Sequence, residues 1–231
     1  MISTQGPRCC CLMTNYDPYE KDLKEFILDN PDILDDDLGY LGKTSVIFEK
    51  KLTYSRQKEA KRTIADAIVF TEHRGIVGIE IKTSSKKDST VRLKRQLKGY
   101  SLNSNYVYVF CHDTQIKDVE RILKSEPKFF NHVGIVAYDT FKDSIIPGTY
   151  KQATRNPHFS AFHALNMLRK VDVRWILSDR GIATENLTKR QLINVLLRSV
   201  GEFEAIKYLC KYFTNNKRGI LKLKHFRRKG E

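Results

Sequence analysis

The stretch Ile64–Lys82, IADAIVFTEHRGIVGIEIK, narrows the possible folds more than any other part of the chain. It reads as two strands, Ile64–Thr71 and Ile76–Thr83, joined by a tight connection. The first sets an acid, Asp66, inside an otherwise apolar run, and the second ends in Glu80-Ile81-Lys82. Side chains alternate across a strand, so Glu80 and Lys82 share one face and Ile81 takes the other. A buried ion is costly unless it is paired or binds a metal. Two carboxylates and a lysine at the ends of paired strands therefore call for a chemical reason.

The flanking chain places this hairpin in an α/β fold. Residues 17–30 read as a helix, with Asp17 as its cap, Pro18 in the first helical position and Glu20 three residues after the cap. Tyr19, Leu23, Phe26 and Ile27 form the expected buried stripe, with Glu20 at its rim. The acidic run DNPDILDDD reads as a solvated connection. Residues 44–54 form a strand rich in β-branched and aromatic residues, and a basic loop leads from it to the Asp66 strand. Asp88 or Ser89 caps a further helix with Val91, Leu93, Leu97 and Tyr100 on its apolar side and Arg92, Lys94, Arg95 and Lys98 on its basic side. Residues 106–111 and 133–138 are buried strands on either side of an amphipathic helix over 115–125. The order helix, three strands, helix, strand, helix, strand predicts an α/β sandwich on a mixed central sheet, its first three strands a meander.

The same reading divides the chain into a flexible N-terminal segment (1–16), a core (17–140), a linker (141–157), a helical subdomain (158–216) and a basic tail (217–231). Prolines and weak periodicity suggest the linker. Gly201 separates the last two helices, and Trp175 with the aromatics of the helical part is expected to be core.

Charge bounds the partners. Lys and Arg number 41 against 27 Asp and Glu, a formal net charge of +14, which favours a polyanion. No apolar run approaches the roughly 20 residues of a membrane span. The N-terminus lacks the features of a signal peptide, so the expected location is the cytoplasm and no membrane partner is expected. Cys9, Cys10, Cys11, Cys111 and Cys210 form neither a disulfide framework nor a zinc pair, and the histidines show no ligand spacing.

Asp66 and Glu80, on adjacent strands, can share one hard cation such as Mg²⁺ or Mn²⁺, with the Ile81 carbonyl as a further ligand. Such an ion neutralises developing charge and lowers the pKa of a bound water, and a lysine on the same face can orient or deprotonate that water. Together these parts suit phosphodiester hydrolysis. The strand acid, the E-x-K strand and the helix after it resemble the PD-(D/E)XK nuclease superfamily, with its restriction-endonuclease-like αβββαβ core. The resemblance covers residues 17–138 and implies that Asp66 and Glu80 bind metal and that Lys82 assists catalysis. Glu20 is the candidate for the further acid that a first helix often supplies. Gln96 and Tyr100 resemble the Q-x-x-x-Y motif of RecB-type nucleases and stack on one helix face, facing the metal site or the DNA backbone. The helical extension, with Trp175 and LTKRQLINVLL, is similar to a group of bacterial and phage-borne members. Ala65 replaces the proline of the superfamily motif, and the cysteine cluster of the iron–sulfur members is absent.

Lys86, Lys87, Arg92, Lys94, Arg95, Lys98 and the tail from Lys217 suit phosphate contacts that carry no sequence information. The expected function is thus a Mg²⁺-dependent deoxyribonuclease in phage or bacterial DNA processing, repair or defence. Its helical subdomain would hold nucleic acid, a protein partner or a second copy. Two readings compete with it: a non-catalytic nucleic-acid-binding module on the same fold, and a protein-interaction factor that regulates a host or phage complex. The plainer reading of the residues makes Glu80 and Lys82 a solvated cross-strand ion pair and Gln96 and Tyr100 simple packing.

Overall fold

A computed structural model describes residues 18–53, 62–83, 90–142 and 144–215, in which six strands form one mixed sheet. Strands β1 (Thr44–Thr53), β2 (Arg62–Thr71) and β3 (Gly75–Lys82) make the expected antiparallel meander. Strands β4 (Tyr106–His112) and β5 (Gly134–Phe141) extend it in parallel, and β6 (Ser144–Lys151) returns antiparallel. Strand order in space is strand order in sequence. The two parallel links need crossovers. Helix α3 (Thr90–Asn103) supplies the first, and α4 (Ile116–Ser125) with the short α5 (Pro127–Phe130) the second.

The near-continuous apolar runs of β3 and β4 require cover on both faces. On one face α1 (Glu20–Asp29), a 3₁₀ turn (Pro31–Leu34) and α2 (Asp35–Leu38) bury Leu23, Ile27, Leu34 and Leu38 against Val69, Val77, Ile79 and Phe110. The other face carries α3, α4 and three C-terminal helices, α6 (Ala161–Leu165), α7 (Lys170–Ser178) and α8 (Lys189–Asn215). There Leu97, Leu165 and Leu196 join the cluster of Ile68, Phe70, Ile76 and Val109. Phe213 of α8 stacks on Phe70 with ring centroids 4.0 Å apart. The C-terminal helices therefore complete the core of the sheet. Gly201, at φ +78°, breaks α8 where the sequence expects two helices to part.

Several local expectations change. Helix α1 starts at Glu20 with Tyr19 as its cap, and the Asp22 carboxylate accepts the Tyr19 N–H at 2.9 Å. Tyr19 is itself exposed, so the stripe narrows to Leu23 and Ile27 with Phe26 half-buried. The acidic run is folded, because Leu34 and Leu38 anchor it to the core and Asp37 accepts the Tyr108 hydroxyl. The expected linker contains β6. Its Pro147 is compatible with a strand because β6 is an edge, where a missing donor leaves no ladder bond unmade. Val91 and Trp175 are exposed, since α3 buries Leu93 and Leu97 instead, and α7 buries Val173, Ile176 and Leu177. Asp17, Cys9–Cys11, Lys86, Lys87 and the tail from Lys217 lie outside the described residues. Among the described residues no helix is long and apolar enough to cross a membrane.

Candidate active site

The site forms where the sheet divides. Strands β2 and β3 pair from Thr71↔Gly75 to Ala67↔Ile79 and stop one step before Asp66 would face Glu80. Beyond that point β2 stays with β1 as far as Arg62, and β3 stays with β4 as far as Lys82. Tyr100 of α3 fills the head of the opening. Its hydroxyl accepts the Asp66 backbone N–H at 2.7 Å and donates to the Ile79 carbonyl at 2.9 Å. The Asp66 carboxylate accepts the Ile81 N–H at 2.9 Å. Gly78 makes room for the tyrosine, since a Cβ there would lie 2.3 Å from a ring carbon.

Below Tyr100, Glu20, Asp66, Glu80, Ile81, Lys82, Thr83 and Arg92 line a cleft of about 30 Å³, space for a water or an ion. Glu80 is wholly buried, and one of its oxygens takes the Lys82 ammonium at 2.7 Å. Its other oxygen, Oε2, is buried with no hydrogen-bond partner. Lys24, one helical turn beyond Glu20, places its Nζ 2.9 Å from Glu20 Oε1 and 3.0 Å from Glu49 Oε1.

Burial dominates the electrostatics. Loss of solvent, followed by the neighbouring Asp66 charge, pushes Glu80 up to about 8, against the pull of Lys82. Asp66 is also raised, chiefly by burial, with the Ile81 N–H and Lys82 opposing. Burial and then the two carboxylates hold the Tyr100 phenol well above its usual range, which keeps it protonated as a donor. A buried carboxylate oxygen without a partner calls for a proton or a cation. Beside the cations of Lys82 and Arg92, the cleft offers the carboxylates of Glu20, Asp66 and Glu80, oxygen ligands of the kind that suits Mg²⁺ or Mn²⁺.

The family described as "Bacteriophage P4 protein cII" matches residues 18–228. The chain belongs to this family. No curated protein and no solved structure matches it. The match to the P4 cII family runs from the start of α1 through the whole sheet and the C-terminal helices, so it takes in every residue of the cleft.

Within this P4 cII family fold, the chain brings together Glu20, Asp66, Glu80, Ile81 and Lys82, with Arg92 reaching in from α3. Gln96 and Tyr100 do not line the cleft. Gln96 is buried with its Oε1 unpartnered, and Tyr100 is wholly buried on backbone groups. Lys94 and Lys98 both bind Glu126, at 3.0 and 2.9 Å, while Arg95 is exposed. Thr83, Lys24 and Glu49 escaped the sequence reading. Lys24 stands four residues after Glu20, a spacing that joins side chains on a helix, whereas Glu49 gives no sequence signal. His112, Asp113 and Asp139 also bring ligand atoms within 4.8 Å of one another at the C-terminal ends of β4 and β5. Both aspartates are exposed, and exposed acids often cluster without an ion.

Proposed function

We propose that the chain is a divalent-cation-dependent deoxyribonuclease of the PD-(D/E)XK type. One observation carries this reading: the Glu80 carboxylate is wholly buried beside Asp66 with an oxygen that no protein group satisfies. The order α1-α2-β1-β2-β3-α3-β4 supports it, because apart from the four-residue α2 it follows the αβββαβ core that the resemblance implies. Asp66, Glu80 and Glu20 would hold Mg²⁺ or Mn²⁺. The ion, when bound, would polarise a phosphoryl oxygen and lower the pKa of a bound water. Lys82 would hold that water and take or stabilise its proton. Arg92, the cation of α3 that reaches the cleft, would bind the phosphate. Tyr100 acts at one remove, fixing the Asp66 and Ile79 backbone. The test is Mg²⁺-dependent cleavage of single-stranded, duplex and branched DNA by the wild type, Glu80→Ala and Lys82→Ala proteins. Cleavage that survives both substitutions rules out this active site.

A second reading draws on the Lys82–Glu80 pair, whose ammonium and carboxylate meet at 2.7 Å. On that reading the chain is a non-catalytic module that binds nucleic acid, or a protein, in a phage or host complex. It predicts salt-sensitive DNA binding that ignores both metal and Glu80→Ala, or a protein partner with no DNA affinity at all.

A further inference from the structure

We infer that Lys24 and Glu49 are positioning residues that hold the Glu20 carboxylate at the cleft, and that the irregular backbone of β1 at Glu49 serves this purpose. The inference rests on the reading of the cleft as a cation site. Glu49 sits in mid-strand at φ +53°, a conformation that residues with a Cβ seldom adopt. It lies between the pairs Phe48↔Ala67 and Lys50↔Ala65, level with Asp66. The strand changes face there. Phe48 packs with the α1-side core, but Leu52, which strict alternation would put on the same face, joins the α3-side core. Glycine would hold this backbone at lower cost. What glutamate adds is its carboxylate, and that carboxylate binds Lys24 at 3.0 Å. The Lys24 side chain is only 15% exposed and bridges from there to Glu20, which lines the cleft. The chain Glu49–Lys24–Glu20 thus ties an acid on α1 to the strand level of Asp66.

The test is calorimetric titration of the full chain with Mn²⁺, comparing the wild type with Glu80→Gln, Lys24→Met and Glu49→Gly, each with its thermal midpoint. Removing a nearby positive charge would by itself tighten cation binding. Loss of positioning does the opposite, and outer residues that orient ligands typically carry about 10- to 100-fold in metal affinity. Lys24→Met is therefore expected to weaken Mn²⁺ binding by about tenfold. Glu49→Gly is expected to weaken it as well while its thermal midpoint stays level or rises, a combination that simple misfolding does not produce. Affinity equal to or tighter than wild type in Lys24→Met, or unchanged affinity in Glu49→Gly, overturns the inference while the cation site stands. A wild type that does not bind Mn²⁺, or binds it equally well as Glu80→Gln, overturns both.

Discussion

Replacing Tyr100 by Phe tests how the divided sheet is held open. The substitution keeps the ring that packs over Gly78 and removes only the hydroxyl. Two buried backbone groups then lose their partner, the Asp66 N–H and the Ile79 carbonyl. Tyr100 is wholly buried, so water does not replace the hydroxyl without opening the core. A stranded buried polar group costs about 1–3 kcal/mol, so the pair costs about 2–6 kcal/mol. For a chain of this size the urea m-value lies near the top of the usual range, about 3 kcal/mol/M, and the midpoint should fall by about 1 M at unchanged slope. Equilibrium urea unfolding followed by circular dichroism measures this directly. A shift under about 0.3 M would refute the argument, because the hydroxyl would then not be the bridge between the two strands.

Three further outcomes follow from the same geometry. In metal-free protein, Glu80 holds its proton more tightly folded than unfolded, so its contribution to stability is complete below its ordinary value of 4.5 and is lost as pH rises through about 8. The thermal midpoint in EDTA should fall as pH rises from about 5 to about 8, and Glu80→Gln should flatten the fall; a midpoint that rises contradicts it. Gly78→Ala sets a methyl 2.3 Å from the Tyr100 ring and should cost about 1–3 kcal/mol in thermal unfolding, whereas a neutral result would mean that α3 shifts freely on the sheet. Glu126→Gln frees Lys94 and Lys98 from their shared carboxylate, so if this face meets DNA the logarithmic salt dependence of binding should steepen by about 1–2, as read by fluorescence anisotropy.

The elements legible in the sequence were those with strong periodicity and a local cause. The meander, α3 and α4 announce themselves by alternation or by a helical stripe, and the Glu80–Lys82 pair follows from strand parity alone. Glu20 was legible too, since a rim position on the first helix leaves a side chain few directions. What escaped depended on partners distant in sequence. Segment 144–151 looks like a linker until β5 stands beside it, because an edge strand needs neither a continuous apolar run nor every donor. Trp175 is expected to be core, yet α7 buries the side that carries Val173, Ile176 and Leu177. Tyr100 was visible as part of a motif, but its place between two strands was not. Nothing in the order of residues says that a side-chain hydroxyl will stand where a ladder bond is missing.

The missing bonds have a physical cause in the acids themselves. In an unbroken β2–β3 ladder the next pair after Ala67↔Ile79 would set Asp66 directly opposite Glu80. Like charges facing each other across an antiparallel pair are destabilising, and burial makes them more so. The strands part at that step. Two side chains take over the backbone bonding on either side of it: the Tyr100 hydroxyl serves Asp66 N–H and Ile79 C=O, and the Asp66 carboxylate serves Ile81 N–H. Asp66 is thereby fastened through one oxygen to the strand that carries Glu80. The two acids stay near each other without facing each other in register, a separation that a shared cation would exploit and that simple strand pairing would forbid. The cleft is accordingly a consequence of where Asp66 and Glu80 fall in the register, and Tyr100 is what makes it compatible with a buried sheet.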